Sequence, residues 1–454
     1  MSILSREEAQ ALTQRVLALS GAEACRVSVT SVLEANTRFA DNGISTSGDS
    51  TNATVSVRAS FGRRAGSAST NILTAEGLRR TVEIAERLAR LAPEDREAMP
   101  ELAPQTYREV PAFFDATASL DPARRAVAAA ACIDTASRAG CTAAGFITLR
   151  ANSNAVANSL DAFAYHRATG FAMTNTVRTA DGSGSGWAGT AHNDWGRARP
   201  AELAQTATRK AQTSTGAVAL EPGRYTVVLE PTAVANLLEL MVQAMNARQA
   251  DEGRSFFSKR GGGNKIGERV VDERVTIVSD PWDPDLLAAP FAADGLPHRR
   301  VEWVTEGVVR NLMYDRYWAQ RQNVEPTVIP ARFGEIPDGV KMAGGDASLD
   351  DLIRSTDRGV LVTRFWYIRG LDPRTILYTG LTRDGTFLIE NGRIARAVKN
   401  MRFNESPVTM LNNVEMLARP VRVSASESGD ICQAVMVPAL KVRDFNFQSV
   451  SDAV

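Results

Sequence analysis

"YTVVLEPTAVANLLELMVQAMNARQ", Tyr225 to Gln249, decides the reading of the second half of this chain. Tyr225 to Leu229 is a short apolar run of strand type. After Pro231 the period changes. Apolar residues fall at Val234, Leu237, Leu238, Met241, Val242 and Met245, which is the i, i+3, i+4, i+7 spacing of one helix face. Pro231 suits the first helical turn, where its missing N–H costs nothing. The spacing predicts one amphipathic helix reaching Gln249. It carries neither His nor Cys, and the question is why a helix in this setting should be chemically silent.

Outward from that helix, strand and turn dominate. "GERVVDERVTIVSD" and "HRRVEWVTEGVVRNLMYDRYWAQR" read as strand runs, and Glu390-Asn391-Gly392 as a hairpin turn. A short helix opens at Ser348, with Asp351 as its third-position acid, and Gly359 stops it. In the first half, Ser5 and Glu8 form a capping box ahead of Ala9, Leu12, Val16 and Leu19. Alternating strands follow, with a turn at Asn42-Gly43. A helix spans about Thr74 to Ala92, with Leu78, Val82, Ala85 and Leu88 inward and the pairs Glu83–Arg87 and Glu86–Arg90 outward. Asp121-Pro122 opens another helix that Gly140 ends. Thr142 to His192 reads as an antiparallel meander, and a helix from Pro200 to Gln212 closes the half. "STGAVALEPG" is the expected boundary. Strands and helices do not alternate strictly, so the expected class is α+β. The expected domains are residues 1–215, helices on an antiparallel sheet, and residues 222–454, rich in strand.

The 454 residues carry 52 basic and 52 acidic side chains, with 44% apolar and 23% charged. Zero net charge argues against a dedicated nucleic-acid binder, which needs a basic face to displace counterions. No apolar run approaches the ~20 residues of a membrane span. The first residues read as a capped helix, not a signal peptide, so the expected location is cytoplasmic. Cys25, Cys132, Cys141 and Cys432 form no C-x-x-C pair and read as small buried apolar residues.

Chemistry-bearing motifs are sparse. His166, His192 and His298 lack metal-binding spacing, and each reads as an exposed or edge residue. "GSGSG", Gly182 to Gly186, has Gly where a nucleophile elbow needs Ser, and reads as a flexible turn. "RGGGNKIGE", Arg260 to Glu268, completes neither phosphate-binding glycine motif; a mobile loop or plain connector is the simpler reading. From the residues alone the chain is a two-domain α+β protein.

Several ordered segments then carry a resemblance. They are "GRYTVVLEPTAVANLLELMVQAM", "EGRSFFSKR…KIGERVVDERVTIVSDP", "APFAADGLPHRRVEWVTEGVVRNLMYDRYWAQR", "SLDDLIRSTDRGVLVTRFWY" and "GLTRDGTFLIENGRIARAVKN". Together they resemble the TldD/PmbA family, also called modulators of DNA gyrase or TldD/TldE peptidases. "RFADNGIS" and "VRASFGRRAGSAST" extend the likeness into the first half. The resemblance implies two branches. TldD-like members are zinc peptidases with H-E-x-x-x-H on this helix and a late Cys. TldE- or PmbA-like members keep the fold without the ligands and pair with the first to process leader peptides or unfolded segments.

Laid on this sequence, the motif puts Glu239 at the first His, Leu240 at the Glu and Ala244 at the second His. Glu239 could offer an oxygen, but Leu240 cannot act as a base and Ala244 has no donor atom. On a regular helix, i and i+5 also stand about 140° apart at roughly 100° per residue, so convergence on one ion would need local distortion. The family's late Cys falls near Ser424 to Ser426, leaving Cys432 as a strand residue. The resemblance implies no metal and no catalytic residue here, with zinc expected in a TldD-like partner. Gln243, Arg248 and Arg254 are candidates for peptide or interface contact. The expected partners are such an H-E-x-x-x-H subunit or a second copy of this chain, with unfolded or leader peptides as ligands. Two other readings remain: a self-sufficient hydrolase, for example using Cys141 with His166, and a non-proteolytic binding protein acting on gyrase.

Overall fold

The computed structural model describes residues 3–327, 339–424 and 434–451. The first half is one six-stranded sheet with helices laid on it. In chain order its elements are α1 (Arg6–Leu17), β1 (Ala24–Ala40), β2 (Gly43–Phe61), β3 (Arg64–Thr70), α2 (Ala75–Leu91), α3 (Asp115–Ala118), α4 (Pro122–Arg138), β4 (Cys141–Asn158), β5 (Phe163–Thr179), β6 (Ser185–His192) and α5 (Pro200–Thr213). The sheet order is β3-β2-β1-β4-β5-β6, every pair antiparallel. The predicted meander is therefore continuous with the first three strands, through β1 against β4.

Strand alternation places Val27, Val29, Val55 and Val57 under α1 and α2, and Ile147, Met173 and Val177 under α4 and α5. Each such fully buried side chain contributes about 1.5–3 kcal/mol. The caps are as the sequence predicts. Ser5 and Glu8 form the reciprocal box, Thr74 and Asp121 accept from the third-residue amides, and Pro122 takes the first helical position. On α2 it is Ala89 that is buried, while Leu88 is 46% exposed. Glu86 pairs with Arg90. The β1–β2 turn is centred on Asp41 and Asn42, both at positive φ, with Gly43 already paired to Ala40.

The second half continues with β7 (Gly223–Leu229), α6 (Pro231–Gln243), α7 (Ala247–Asp251), β8 (Ile277–Ser279), β9 (Val301–Thr305), β10 (Val308–Val309), α8 (Arg316–Gln322), β11 (Val340–Met342), α9 (Leu349–Arg354), β12 (Arg358–Asp372), β13 (Leu377–Glu390), β14 (Arg393–Ala397), β15 (Met401–Glu405), α10 (Pro407–Asn412), β16 (Val414–Leu417), β17 (Val421–Ser424), β18 (Ala434–Val437) and β19 (Leu440–Val450). One sheet runs β12-β7-β19-β15-β13-β14, and β12 also pairs with β13, so five strands close into a ring. The other runs β10-β9-β8-β11-β18-β17. α6 lies in the apolar core that both sheets share, among Val227, Val360, Phe365 and Phe403 of the ring and Ile277, Trp303, Val340 and Val435 of the open sheet. The class is α+β.

Several expectations are corrected here. The predicted helix to Gln249 is two helices. α6 stops at Gln243, with Ala244 as its cap, and α7 restarts after Asn246, whose side chain accepts from the Gln249 amide. α6 is also buried nearly all round, from Thr232 to Leu238. "GERVVDERVTIVSD" is mostly irregular, with only Ile277–Ser279 in strand, and "DRYWAQRQ" is helical as α8. α10 had no distinct signal. In "GSGSG" only Gly182 is a turn glycine. Gly184 and Gly186 let the chain lie against α5, where a Cβ would meet the carbonyls of Ala211 and Ala207 at 2.3 and 2.2 Å.

The halves are joined by specific polar contacts. Lys210 Nζ on α5 pairs with Glu230 at 2.7 Å, at the start of α6. Ser185 Oγ donates to Asp384 Oδ1 at 2.7 Å, and Arg248 grips Glu97 through two bonds of 2.7 and 2.9 Å. Among the described residues no helix is long and apolar enough to cross a membrane.

Candidate functional site

The half-buried C-terminal end of α6 opens on a cavity of about 410 Å³. Leu240, Gln243 and Ala244 form one wall. Gln249, Arg254 and Ser255 come from α7 and the segment after it. Gly370 to Pro373 and Ile376 to Tyr378 come from the turn between β12 and β13. That hairpin carries register shifts between Trp366 and Arg369 and between Gly370 and Asp372, so it bends at the rim. Thus the positions singled out on α6, Leu240 and Ala244, lie on one concave surface. Glu239 lies beside them, where its Oε1 accepts from Gln243 Nε2 at 2.8 Å.

The helix ends at this surface. The Ala244 amide is shared between the Leu240 and Met241 carbonyls, at 3.3 and 3.2 Å, and the Met245 amide bonds Val242 O. These i→i−3 bonds tighten the last turn towards 3₁₀ geometry. The i+5 position therefore falls where the helix is no longer regular, but tightening at about 120° per residue leaves i and i+5 roughly 120° apart and does not bring them together. Ser255 Oγ donates to the Ala244 carbonyl at 3.0 Å, satisfying an otherwise orphaned acceptor.

Electrostatically the cavity is mixed. The Tyr378 hydroxyl pKa is raised, by burial first and then by the nearby Glu239 carboxylate. Asp372 is held below the usual carboxylate range by the Thr375 hydroxyl and the Arg374 amide. Arg254 Nε donates to Glu252 at 3.0 Å. Leu240, Leu371, Ile376 and Leu377 supply the apolar lining. Amides, a hydroxyl and a guanidinium among apolar side chains suit a peptide backbone.

Zinc does not fit these residues. Leu240 and Ala244 have no donor atom, and the Glu239 and Asp372 carboxylates with an amide neighbour do not make the His and Cys set of a zinc site. Among the described residues no group of three or more His, Cys, Asp and Glu side chains converges as a metal cluster. Cys432 and Ser426 lie outside the described residues.

Of the other candidates, Gln243 and Arg254 share the cavity but Arg248 does not. Its guanidinium bonds Glu97 and Glu252 and stacks near Trp318, so it joins the connector of the first half to α7. Cys141 and His166 are not brought together. His166 pairs with Asn154 on β4, thirteen residues along that strand from Cys141, a separation of roughly 40 Å at strand rise. His166 is buried at 6% exposure, contrary to the surface reading. His192 ends β6, half-buried, its Nδ1 accepting from the Asp194 amide at 2.9 Å. Burial lowers both imidazoles to about 4. His298 is half-buried, with Nδ1 at 2.9 Å from the Ala289 carbonyl. Ser255, Asp372 and Tyr378 gave no sequence signal as site residues, because a hairpin over a hundred residues downstream supplies most of that wall.

Comparison with known proteins agrees with this architecture. Residues 222–449 match the PmbA/TldA metallopeptidase C-terminal domain, and residues 25–89 match domain 1 of the same family. The chain belongs to the PmbA/TldD metallopeptidase family. A metalloprotease of Methanothermobacter thermautotrophicus is 25% identical over 237 residues, 49% of this chain and 50% of that protein. A metalloprotease TldD homolog of Haemophilus influenzae is 26% identical over 260 residues, 54% and 53% of the two chains. The chain thus spans about half the length of these curated relatives. In fold it is similar to TldE of Thermococcus kodakarensis, with a TM-score of 0.84 at 19% identity over 96% of this chain and 99% of that one. A putative modulator of a DNA gyrase from Thermotoga maritima gives a TM-score of 0.84 at 18% identity, over 97% and 100%.

Proposed function

We propose that this chain is a non-catalytic, TldE/PmbA-like subunit of a two-subunit zinc metallopeptidase that processes or degrades unfolded peptides. One observation carries the reading. Two of the three α6 residues aligned with the family's ligand motif, Leu240 and Ala244, line a cavity, yet they offer nothing that could hold an ion or take a proton from water. The cavity remains as a wall for peptide, with Gln243, Arg254, Ser255 and Tyr378 as its polar contacts. The zinc, the general base and the bond-breaking step belong to a TldD-like partner with H-E-x-x-x-H. A cytoplasmic location and unfolded or leader peptides as substrates are part of the same proposal.

The test is reconstitution. The purified chain alone is expected to carry no stoichiometric zinc by plasma emission analysis and to leave an unfolded peptide substrate intact. Co-expression with an H-E-x-x-x-H subunit from the same genome is expected to yield a stable complex that cleaves it. Cleavage by the solitary chain, abolished by a chelator, would overturn the proposal.

A further inference from the structure

The sheet of the first half has an unfilled edge. β6 pairs with β5 only over Phe171 to Arg178, leaving Phe163 to Gly170 with no strand beyond them among the described residues. Backbone direction on this stretch follows from one contact. The Thr169 amide donates away from β4, to Ala112 O at 3.0 Å. The β4–β5 register is unbroken, so Phe163, Tyr165 and Arg167 share that orientation. Each turns one N–H and one C=O outward.

Opposite that edge runs the connector between the helices α2 and α3. Asn158 Nδ2 pins it at Leu102 O (2.7 Å), and Thr169 pins it again at Ala112 and Phe114. Between the pins, β5 covers seven residues from Ala162, roughly 23 Å at strand rise. The ten connector residues could span roughly 33–36 Å. The connector is therefore longer than the edge it follows, and Tyr107 ties it to the second half by donating to Gly295 O at 2.8 Å and packing edge-on against Phe291. The slot so formed is about 920 Å³, near the upper end of the roughly 300–1,000 Å³ of ligand clefts.

Its walls say what it takes. Arg6, Arg108 and Arg167 line it against the single acid Glu109, and Phe113, Phe163 and Tyr165 supply aromatic surface. Arg6 and Arg167 already lie over the Phe163 and Phe113 rings, at 5.3 and 4.3 Å. His166, buried on the same slot, has no hydrogen-bond partner at Nε2 among the described residues.

We infer that this slot binds an extended acidic peptide segment, which adds a strand to β5 at Phe163, Tyr165 and Arg167 beneath the connector. Main-chain hydrogen bonds hold it in register, and the arginines select carboxylate side chains. The site lies on the first half's sheet, with Pro290 of the second half on its rim, and shares no lining residue with the α6 cavity. It needs no partner subunit and stands whether or not the proposed assembly does.

The experiment uses the whole chain and a fluorescein-labelled octapeptide alternating Glu with Val and Phe. Two controls replace Glu by Lys or methylate alternate backbone amides. Anisotropy is expected to show saturable binding of the acidic peptide, about tenfold or more above either control. Hydrogen exchange is expected to show new protection at Phe163, Tyr165 and Arg167. Arg167→Pro removes an outward N–H without touching the β4 ladder, and should weaken binding about tenfold. Arg108→Glu, on the exposed connector, leaves two arginines facing two glutamates and should abolish the preference for the acidic peptide over its Lys control. No saturable binding at millimolar peptide, equal binding of the methylated control, or protection confined to the α6 cavity would each overturn the inference.

Discussion

The contact between the halves at Asp384 gives the sharpest test of how the structure is held. Asp384 is nearly fully buried, at positive φ in the β13 strand. Its carboxylate accepts from Ser185 Oγ of the first half and from Arg364 Nε at 3.0 Å. Burial pushes its carboxyl up, but Arg364, Ser185 and Arg383 together hold the net pKa below its ordinary value. Asp384→Asn keeps the shape, and Asn tolerates the left-handed backbone. It leaves the Arg364 guanidinium without its counter-ion. Breaking one side of a buried pair costs about 3–5 kcal/mol. The Trp187 and Trp366 rings, at 4.9 and 5.2 Å from Arg364, are present in both forms and so do not offset the loss. The expected loss is therefore about 3–5 kcal/mol, read by urea denaturation with tryptophan fluorescence. Replacing both partners, Asp384→Asn with Arg364→Met, is expected to recover most of it, since no lone charge is left buried. A loss under about 1 kcal/mol for the single variant, or a double variant as unstable as the sum, would refute the reasoning. Wild-type stability from this pair is present above the unfolded Asp pKa, near 4, and is lost as pH falls through the depressed folded value.

His166 acts at higher pH. Its folded pKa of about 4 lies below the unfolded value of 6.5, so the unfolded chain binds the proton first and stability falls as pH drops from 6.5 towards 4. A shift of that size is worth roughly 3 kcal/mol, and His166→Gln is expected to flatten acid denaturation measured over that window. Leu238→Ala, in the core around α6 at 1% exposure, should cost about 2–5 kcal/mol by the same urea assay. Arg248→Ala breaks a half-exposed bridge to Glu97 and should cost under about 1 kcal/mol. Cys25 and Cys132 are buried, with thiol pKa values raised by desolvation, so a thiol reagent at neutral pH should leave both unlabelled until denaturant is added, as peptide mass mapping would show.

The sequence by itself determined what depends on neighbours along the chain. The Ser5–Glu8 and Ser348–Asp351 boxes, the Asp121-Pro122 start and the Asn391-Gly392 turn form where the sequence put them, because each is completed within four residues. That Leu240 and Ala244 carry no donor atom was equally readable, since side-chain chemistry needs no fold to be known. Tertiary structure alone decided the rest. The apolar period of α6 runs on through Met245, yet the helix breaks at Ala244, where Ser255 takes the terminal carbonyl and the β12–β13 hairpin closes over it. His166 reads as an edge residue and is on one, but whether that edge is open depends on where β6 stops and on the path the connector takes. Pairings between segments distant in sequence set both, and no local pattern of residues encodes which strand ends first.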